Sequence, residues 1–429
     1  MQKQRKLLAA GVSMVLMLML VAGCGGTKTE TQTQTPSGSA APAPEKKEEI
    51  TEIRLGAAFP LTGKESKIGA SFKLSTELAI KEVNDAGGLE INGKKVPIKL
   101  TLLDDTTDPT KSAQLIEQLI TQDKVHAIVG GYSTLLVSAQ SVVPERYGIP
   151  YVNGGGASTS TYGRSKWVFG TLSPIDVLAR TQMEFLKDLV DSGKLPKPLA
   201  IATVWENTEH GKDYQKGIVE FANKNPGDFK VVFNEGFELY AASFKPLLTK
   251  VQNAKADIFM ADARLEDYIT MHREYSQMGL SHKMVTYGPR GADKAARDGL
   301  GDKTDYIFAS AWWANTLPYP QVKAYVEKYK AATGIASPAW YDALPYETVR
   351  ILLKAIQQAG STDPEKIRQA LTKVEIKDSL VPGQVLKFSE TGQAIYPYVV
   401  TQNKPGNKLD LVWPKEAKNG DAVAPIPTK

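Results

Sequence analysis

Ser133-Thr134, the run Gly154-Gly155-Gly156-Ala157-Ser158, His210, Arg264 and Arg290 are the residues whose types and places suit chemistry. Each follows a short apolar run that reads as a strand: HAIVGG, IPYVN, LAIATVW, ADIFMA and KMVTYG in turn. The chemistry they offer is recognition. Ser133 and Thr134 open a helix, where backbone N–H groups favour anions. Their hydroxyls add donors, and simple capping by Ser133 is compatible with that role. The glycines let a ligand come close to the backbone. His210 could stack on a ligand or bond to it, or stay at the surface near a helix start. A guanidinium at Arg264 or Arg290 suits a carboxylate, held bidentately. Tyr132, Trp312, Trp313 and Tyr346 could wall an apolar or aromatic pocket, or serve only as core.

Motifs for turnover are missing. Gly131 to Leu135 begins like a nucleophile elbow but lacks the closing glycine. His272 is followed by Arg273 and Glu274, which breaks any HExxH pattern, and no phosphate loop occurs. One cysteine rules out an intramolecular disulfide framework, and four histidines leave little for a metal centre. The sequence therefore predicts a binding protein with no metal, no cofactor and no catalytic residue. An exported hydrolase is the weakest alternative.

The elements that position these residues alternate strand and helix from Glu52 onward. Asp108-Pro109, Ser173-Pro174 and Asp363-Pro364 each read as an N-cap before a first-turn proline. Strands alternating with helices of ten to fifteen residues predict parallel sheets covered on both faces. There are too many strands for one small sheet, so the fold class is α/β with two doubly wound lobes. Ligands of such sheets bind beyond the carboxyl ends of strands, where the residues above lie. The tail from Gln384 to Pro414 alternates apolar and polar residues and predicts hairpin strands.

The 429 residues are 42% hydrophobic and 23% charged, an ordinary globular composition. Of the net charge of +5, Lys3, Arg5 and Lys6 supply three. The remainder is too weak a bias to argue for nucleic acid. Leu7 to Ala22 is an uncharged apolar run of sixteen residues, short of the ~20 that span a membrane. Behind a basic start it reads as a signal peptide, residues 1–23, with a plain membrane anchor as the alternative. Val21-Ala22-Gly23-Cys24 resembles the bacterial lipobox and makes Cys24 a lipidated terminus. Residues 24–50 then read as a polar tether.

From these segments the chain resembles the leucine/isoleucine/valine-binding-type receptors of branched-chain amino-acid ABC transporters. The resemblance runs from Ile53 to Pro414. It rests on RLGAAFPLTGKESKIGAS, AIKEVNDAGGLEINGKKVPIKLTLLDDTTDP, VHAIVGGYST, YGIPYVNGGGAS, WENTEHGKDY and the closing VLKFSETGQA, in that order. It implies a type I periplasmic binding protein with a hinged cleft. Lobe one would be 51–172 with 306–376, lobe two 173–305 with 377–414, and 415–429 a tail. It also implies a monomer on the outer face of the cell membrane, partnered by a permease and an ATPase. The place of Ser133 and Thr134 would meet a ligand carboxylate. The place of Gly155, Gly156, Ala157 and Ser158 would meet the amino-acid backbone, with glycines and Ala157 replacing part of the usual set. His210 stands where the family usually has an aromatic residue. Arg290 stands where amino-acid-binding members carry an acid for the ammonium. That departure favours a carboxylate ligand without a free ammonium, aromatic ones included. The alternative is that Arg290 pairs with Asp293 while Asp262 or Glu206 serves the ammonium, as in a plain branched-chain amino-acid receptor. A sensing subunit is a further alternative to transport.

Overall fold

A computed structural model describes residues 49–427. Cys24, the signal peptide and most of the tether lie outside the described residues. Two sheets organise the chain. The first has five parallel strands in the order Ile98–Asp104, Ile53–Phe59, Ala127–Val129, Tyr151–Asn153, Val168–Gly170. The second has seven, in the order Lys408–Trp413, Val399–Lys404, Phe308–Ala311, Met284–Thr286, Ile258–Asp262, Leu199–Glu206, Phe229–Phe237. Its last five are parallel, and Val399–Lys404 and Lys408–Trp413 join antiparallel as a hairpin. The tail therefore forms the expected hairpin, and the second sheet is mixed where a parallel one was expected.

The central strands are continuous apolar runs because helices cover both of their faces, while the outer strands Ile98–Asp104, Phe229–Phe237 and Lys408–Trp413 mix in polar residues. Ile53, Leu55, Ala57 and Phe59 are wholly buried, as are Ile258, Phe259, Met260 and Ala261. Two of the three cap readings hold: Asp108 accepts from the Lys111 N–H at 2.7 Å and Asp363 from the Lys366 N–H at 2.9 Å. At the third, the helix begins at Ile175 and Ser173 does not cap it. Ser173 instead ties chain crossings together: its hydroxyl donates to the Tyr396 carbonyl at 3.1 Å, and its carbonyl accepts from Trp312 Nε1 at 2.7 Å.

The lobe boundaries need correction at two places. Phe308–Ala311 pairs with Thr286 and with the strand Val399–Lys404, so it belongs to the second sheet. The return to the first lobe therefore follows Ala311 and does not start at 306. Glu375–Ile376 pairs with Leu386–Lys387, and Gln393 bridges Gly170 of the first sheet. The chain thus stays with the first lobe past 377 and rejoins the second sheet at Val399. The segment after 414 is no free tail. Val423 N–H bonds to Gln402 Oε1 and Ile426 N–H to the Lys283 carbonyl, both at 2.9 Å. Among the described residues, no helix is long and apolar enough to cross a membrane.

Candidate functional site

Apart from Tyr346, which lies within the helix Trp340–Ala359, the candidate residues follow the ends of parallel strands. On the first lobe, the strand Ala127–Val129 runs into Gly130 and Gly131, both at positive φ. They turn the chain so that Tyr132 and Ser133 face the cleft before the helix Thr134–Tyr147. Tyr151–Asn153 leads to Gly155 and Ala157. On the second lobe, Glu206 closes one strand and His210 sits in the first turn of the helix Glu209–Lys224. Asp262 closes the next strand, with Arg264 two residues on. Arg290 lies in a short 3-10 turn after Met284–Thr286.

These side chains meet around one cavity of about 30 Å³. Tyr132, Ser133, Thr134, Gly155, Ala157, His210, Arg264 and Arg290 line it, together with Glu206, Asp262, Trp312 and Trp340. As the side chains stand, it has room for only one or two waters. A solute the size of an amino acid enters only if the lobes part or a guanidinium gives way.

The remaining expected residues lie elsewhere. Gly156 does not line the cavity; its N–H bonds to Asn153 Oδ1 at 3.0 Å. Ser158 donates to Asp213 Oδ2 at 2.5 Å, a contact between the lobes. Trp313 packs edge-on against Tyr325, and its neighbour Trp312 takes the cavity wall. Tyr346 bonds to Glu82 and Lys328, away from the cavity.

Arg264 is the electrostatic centre. It is 6% exposed. Its Nε and Nη2 reach the two oxygens of Glu206 at 2.7 and 3.1 Å. Its Nη1 crosses to the first lobe, to Glu65 Oε1 at 2.7 Å and to the Ser133 hydroxyl. Burial alone would raise the Glu206 pKa, but the guanidinium, aided by His210, outweighs it and holds the carboxyl down to about 2. Glu65 also accepts from the Tyr240 hydroxyl at 2.7 Å. Arg290 donates to Asp293 at 3.1 Å and to the Tyr132 hydroxyl.

Both arginines are therefore already neutralised from within. Four buried carboxylates, Glu65, Glu206, Asp262 and Asp293, face two guanidiniums and one imidazole. Glu65 and Glu206 share the one Arg264 guanidinium, Asp293 has Arg290, and Asp262 has only the imidazole of His210. Asp262 Oδ2 meets His210 Nδ1 at 2.9 Å, no guanidinium is paired with this carboxylate among the described residues, and it lines the cavity. Glu206, His210 and Asp262 are close enough together to hold a cation. Arg264 occupies both Glu206 oxygens, so of these two acids Asp262 is the one not held by a guanidinium.

Burial lowers the His210 pKa, but Asp262 and Glu206 overcome this and leave it above the ordinary 6.5. The charged imidazole therefore stabilises the fold. That contribution is complete below pH 6.5 and disappears as pH rises through the folded value. His210→Gln is expected to lower the thermal midpoint clearly at about pH 5.5 and much less at about pH 8.5. A deficit of equal size at both would detach His210 from Asp262.

Ser133 makes no side-chain cap to its helix, since its hydroxyl accepts from Arg264. The capping alternative thus fails, and the first-turn N–H groups remain open to an anion. Thr134 Oγ1 accepts from the Ala157 N–H at 3.1 Å and ties this helix start to the glycine loop. Gly155 has no room for a side chain. A Cβ there would strike the Gly131 carbonyl and lie 2.7 Å from Tyr132 Cα. Gly155→Ala should cost about 1–3 kcal/mol of stability and displace Tyr132 and Ser133. Unfolding curves check this, and an unchanged midpoint would show that the loop yields freely.

Three contributors escaped the sequence reading. Glu65 stands just before the helix Ser66–Asp85 and reaches Arg264 of the other lobe. Trp340 opens a helix that reaches the cleft from the returning chain, and its buried Nε1 has no partner among the described residues. Pro289 lines the cavity beside Arg290.

Known proteins resemble this chain in sequence and in fold. Leu/Ile/Val-binding protein homolog 8 of Brucella abortus is 26% identical over 377 residues, which is 86% of this chain and 92% of that one. A leucine-binding protein of Thermotoga maritima superposes with a TM-score of 0.73 at 20% identity, over 84% of this chain and 98% of that one. A solute-binding protein of Rhodopseudomonas palustris, solved with 3,4-dihydroxybenzoic acid, gives 0.72 at 19% identity, over 87% and 98%. The family model for periplasmic binding proteins matches residues 52–408. With two lobes, a cleft at their strand ends and that match, the chain belongs to the periplasmic binding protein family, of the leucine/isoleucine/valine-binding type.

Proposed function

We propose that this protein is the extracytoplasmic solute-capturing component of an ABC importer, and that its solute is amino-acid-like, carrying both a carboxylate and an ammonium. One observation carries the solute assignment: the cleft holds more carboxylate than cation, and Asp262 lines the cavity with an imidazole, not a guanidinium, as its partner. An ammonium placed there gains an acceptor in a water-poor site, where such pairing is strong. The carboxylate goes to the uncapped start of the helix Thr134–Tyr147, beside Ser133. Trp312, Trp340 and Tyr132 wall the apolar part. Closure of the lobes presents the loaded form to a permease, and Cys24 tethers the protein to the membrane. The protein does not turn its solute over.

The aromatic wall favours a second reading, an aromatic carboxylate, in line with the dihydroxybenzoic acid of the Rhodopseudomonas palustris neighbour. That solute would have to take Arg264 or Arg290 away from an internal carboxylate. A thermal-shift panel separates the two readings. It holds amino acids, their deaminated acids, their decarboxylated amines and hydroxybenzoates. A solute at 100 times its Kd stabilises by about 2.7 kcal/mol. Shifts with amino acids alone are expected. A panel in which only hydroxybenzoates or deaminated acids act would overturn the assignment.

A further inference from the structure

Arg290 stands in an unusual place. Its guanidinium lies 5.7 Å from the ring centre of Tyr132, 5.2 Å from Trp340 and 5.4 Å from Tyr341. It is 4% exposed and is held by Asp293 and the Tyr132 hydroxyl. Arg290 and Asp293 belong to the second lobe. Tyr132 follows a strand of the first lobe, and Trp340 and Tyr341 open the helix that packs on the first lobe's Ser66–Asp85. A cation of one lobe is therefore enclosed by aromatic faces of the other.

We propose that Arg290 is a closure residue: its guanidinium plugs an aromatic cage and sets the balance between closed and open lobes, while Asp262 and Ser133 hold the solute. A desolvated cation over aromatic faces is attractive. A planar guanidinium stacks on them as an ammonium cannot. Opening the lobes withdraws the cation and exposes the rings to water. The cage also reaches the hinge. Trp340 packs 4.9 Å from Trp312, whose Nε1 donates to the Ser173 carbonyl at the first crossing. Arg290 thus bears on the crossings as well as on the cleft. The inference rests on the lobe movement of the proposed function but not on its solute.

The test reads lobe distance directly, with no solute added. Spin labels go at Lys73 and Lys250, one on each lobe and both exposed, in a full-length chain carrying Cys24→Ser. The wild-type sequence at position 290 is expected to show a short-distance population. Arg290→Ala should lower the closed-to-open ratio about tenfold. Ethylguanidinium, which can refill the cage, should restore the ratio, and ethylammonium should not. If Arg290→Ala fails to fold, Trp340→Leu leaves the Asp293 pair in place and must move the ratio in the same direction. An unchanged ratio, no short-distance population at the outset, or equal rescue by ethylammonium overturns the proposal. A solute panel with no hits would count against the proposed function and leave this result standing. A solute that binds while Arg290→Ala leaves the ratio unchanged would sink only the closure role.

Discussion

Arg264→Met is expected to lower stability by about 3–5 kcal/mol, the usual cost of removing one partner from a buried ion pair. The guanidinium makes bonds to Glu206, Glu65 and Ser133 that nothing else nearby can replace. Without it, Glu65 keeps only the Tyr240 hydroxyl and Glu206 only Thr208. Two carboxylates then stay buried with no guanidinium, and only the His210 imidazole is left near Glu206. The pH dependence identifies the mechanism. In the parent, the depressed Glu206 pKa contributes stability above pH 4.5 that is lost as pH falls toward about 2. The variant lacks that contribution. Its deficit should therefore be largest near neutrality and shrink below pH 4.5. Glu206→Gln added to Arg264→Met should recover part of the loss, because it removes one stranded charge. Thermal midpoints of the three proteins across this range check the point. A deficit independent of pH would mean that Arg264 acts by packing alone.

Asp262→Asn is expected to leave the fold largely intact and to weaken an ammonium-bearing solute by about 2–4 kcal/mol, roughly 30- to 1000-fold. The asparagine is close to isosteric and can keep a bond to His210 through its oxygen. It loses the charge that faces the ammonium. A deaminated analogue of the same solute should gain affinity in the variant, since a repulsive carboxylate has been removed. Opposite signs for the two solutes cannot come from a general disturbance of the cleft. If both weaken alike, Asp262 supports structure and does not read the ammonium.

The two lobes were legible because their central strands are apolar runs, which a sheet covered on both faces requires. Phe308–Ala311 was misplaced for the same reason: FASA is as apolar as any first-lobe strand, and nothing local says which sheet it enters. The cleft was half legible. Loops after strands pointed to Arg264, His210 and Arg290, all of which line the cavity. Their partners were hidden by distance along the chain. Arg264 meets Glu206 across 58 residues and Glu65 across 199. Glu65 sits in a uniformly polar loop, GKESK, where no pattern separates the inward acid from its neighbours. The inference drawn from Arg290 suffered most. A guanidinium beside a cleft suggests a ligand carboxylate only while its own acid and its aromatic cage remain unknown.

The central claim is that the cleft reads an ammonium. Calorimetric titration of the protein with an amino acid and with its deaminated 2-oxo or 2-hydroxy counterpart tests it most directly. The amino acid is expected to bind at least about 100-fold more tightly, because the deaminated acid sets a second acid against Asp262 and gives it no cation in return. Equal binding of the pair, or preference for the deaminated acid, would contradict the account and return the arginines to the role of carboxylate receivers.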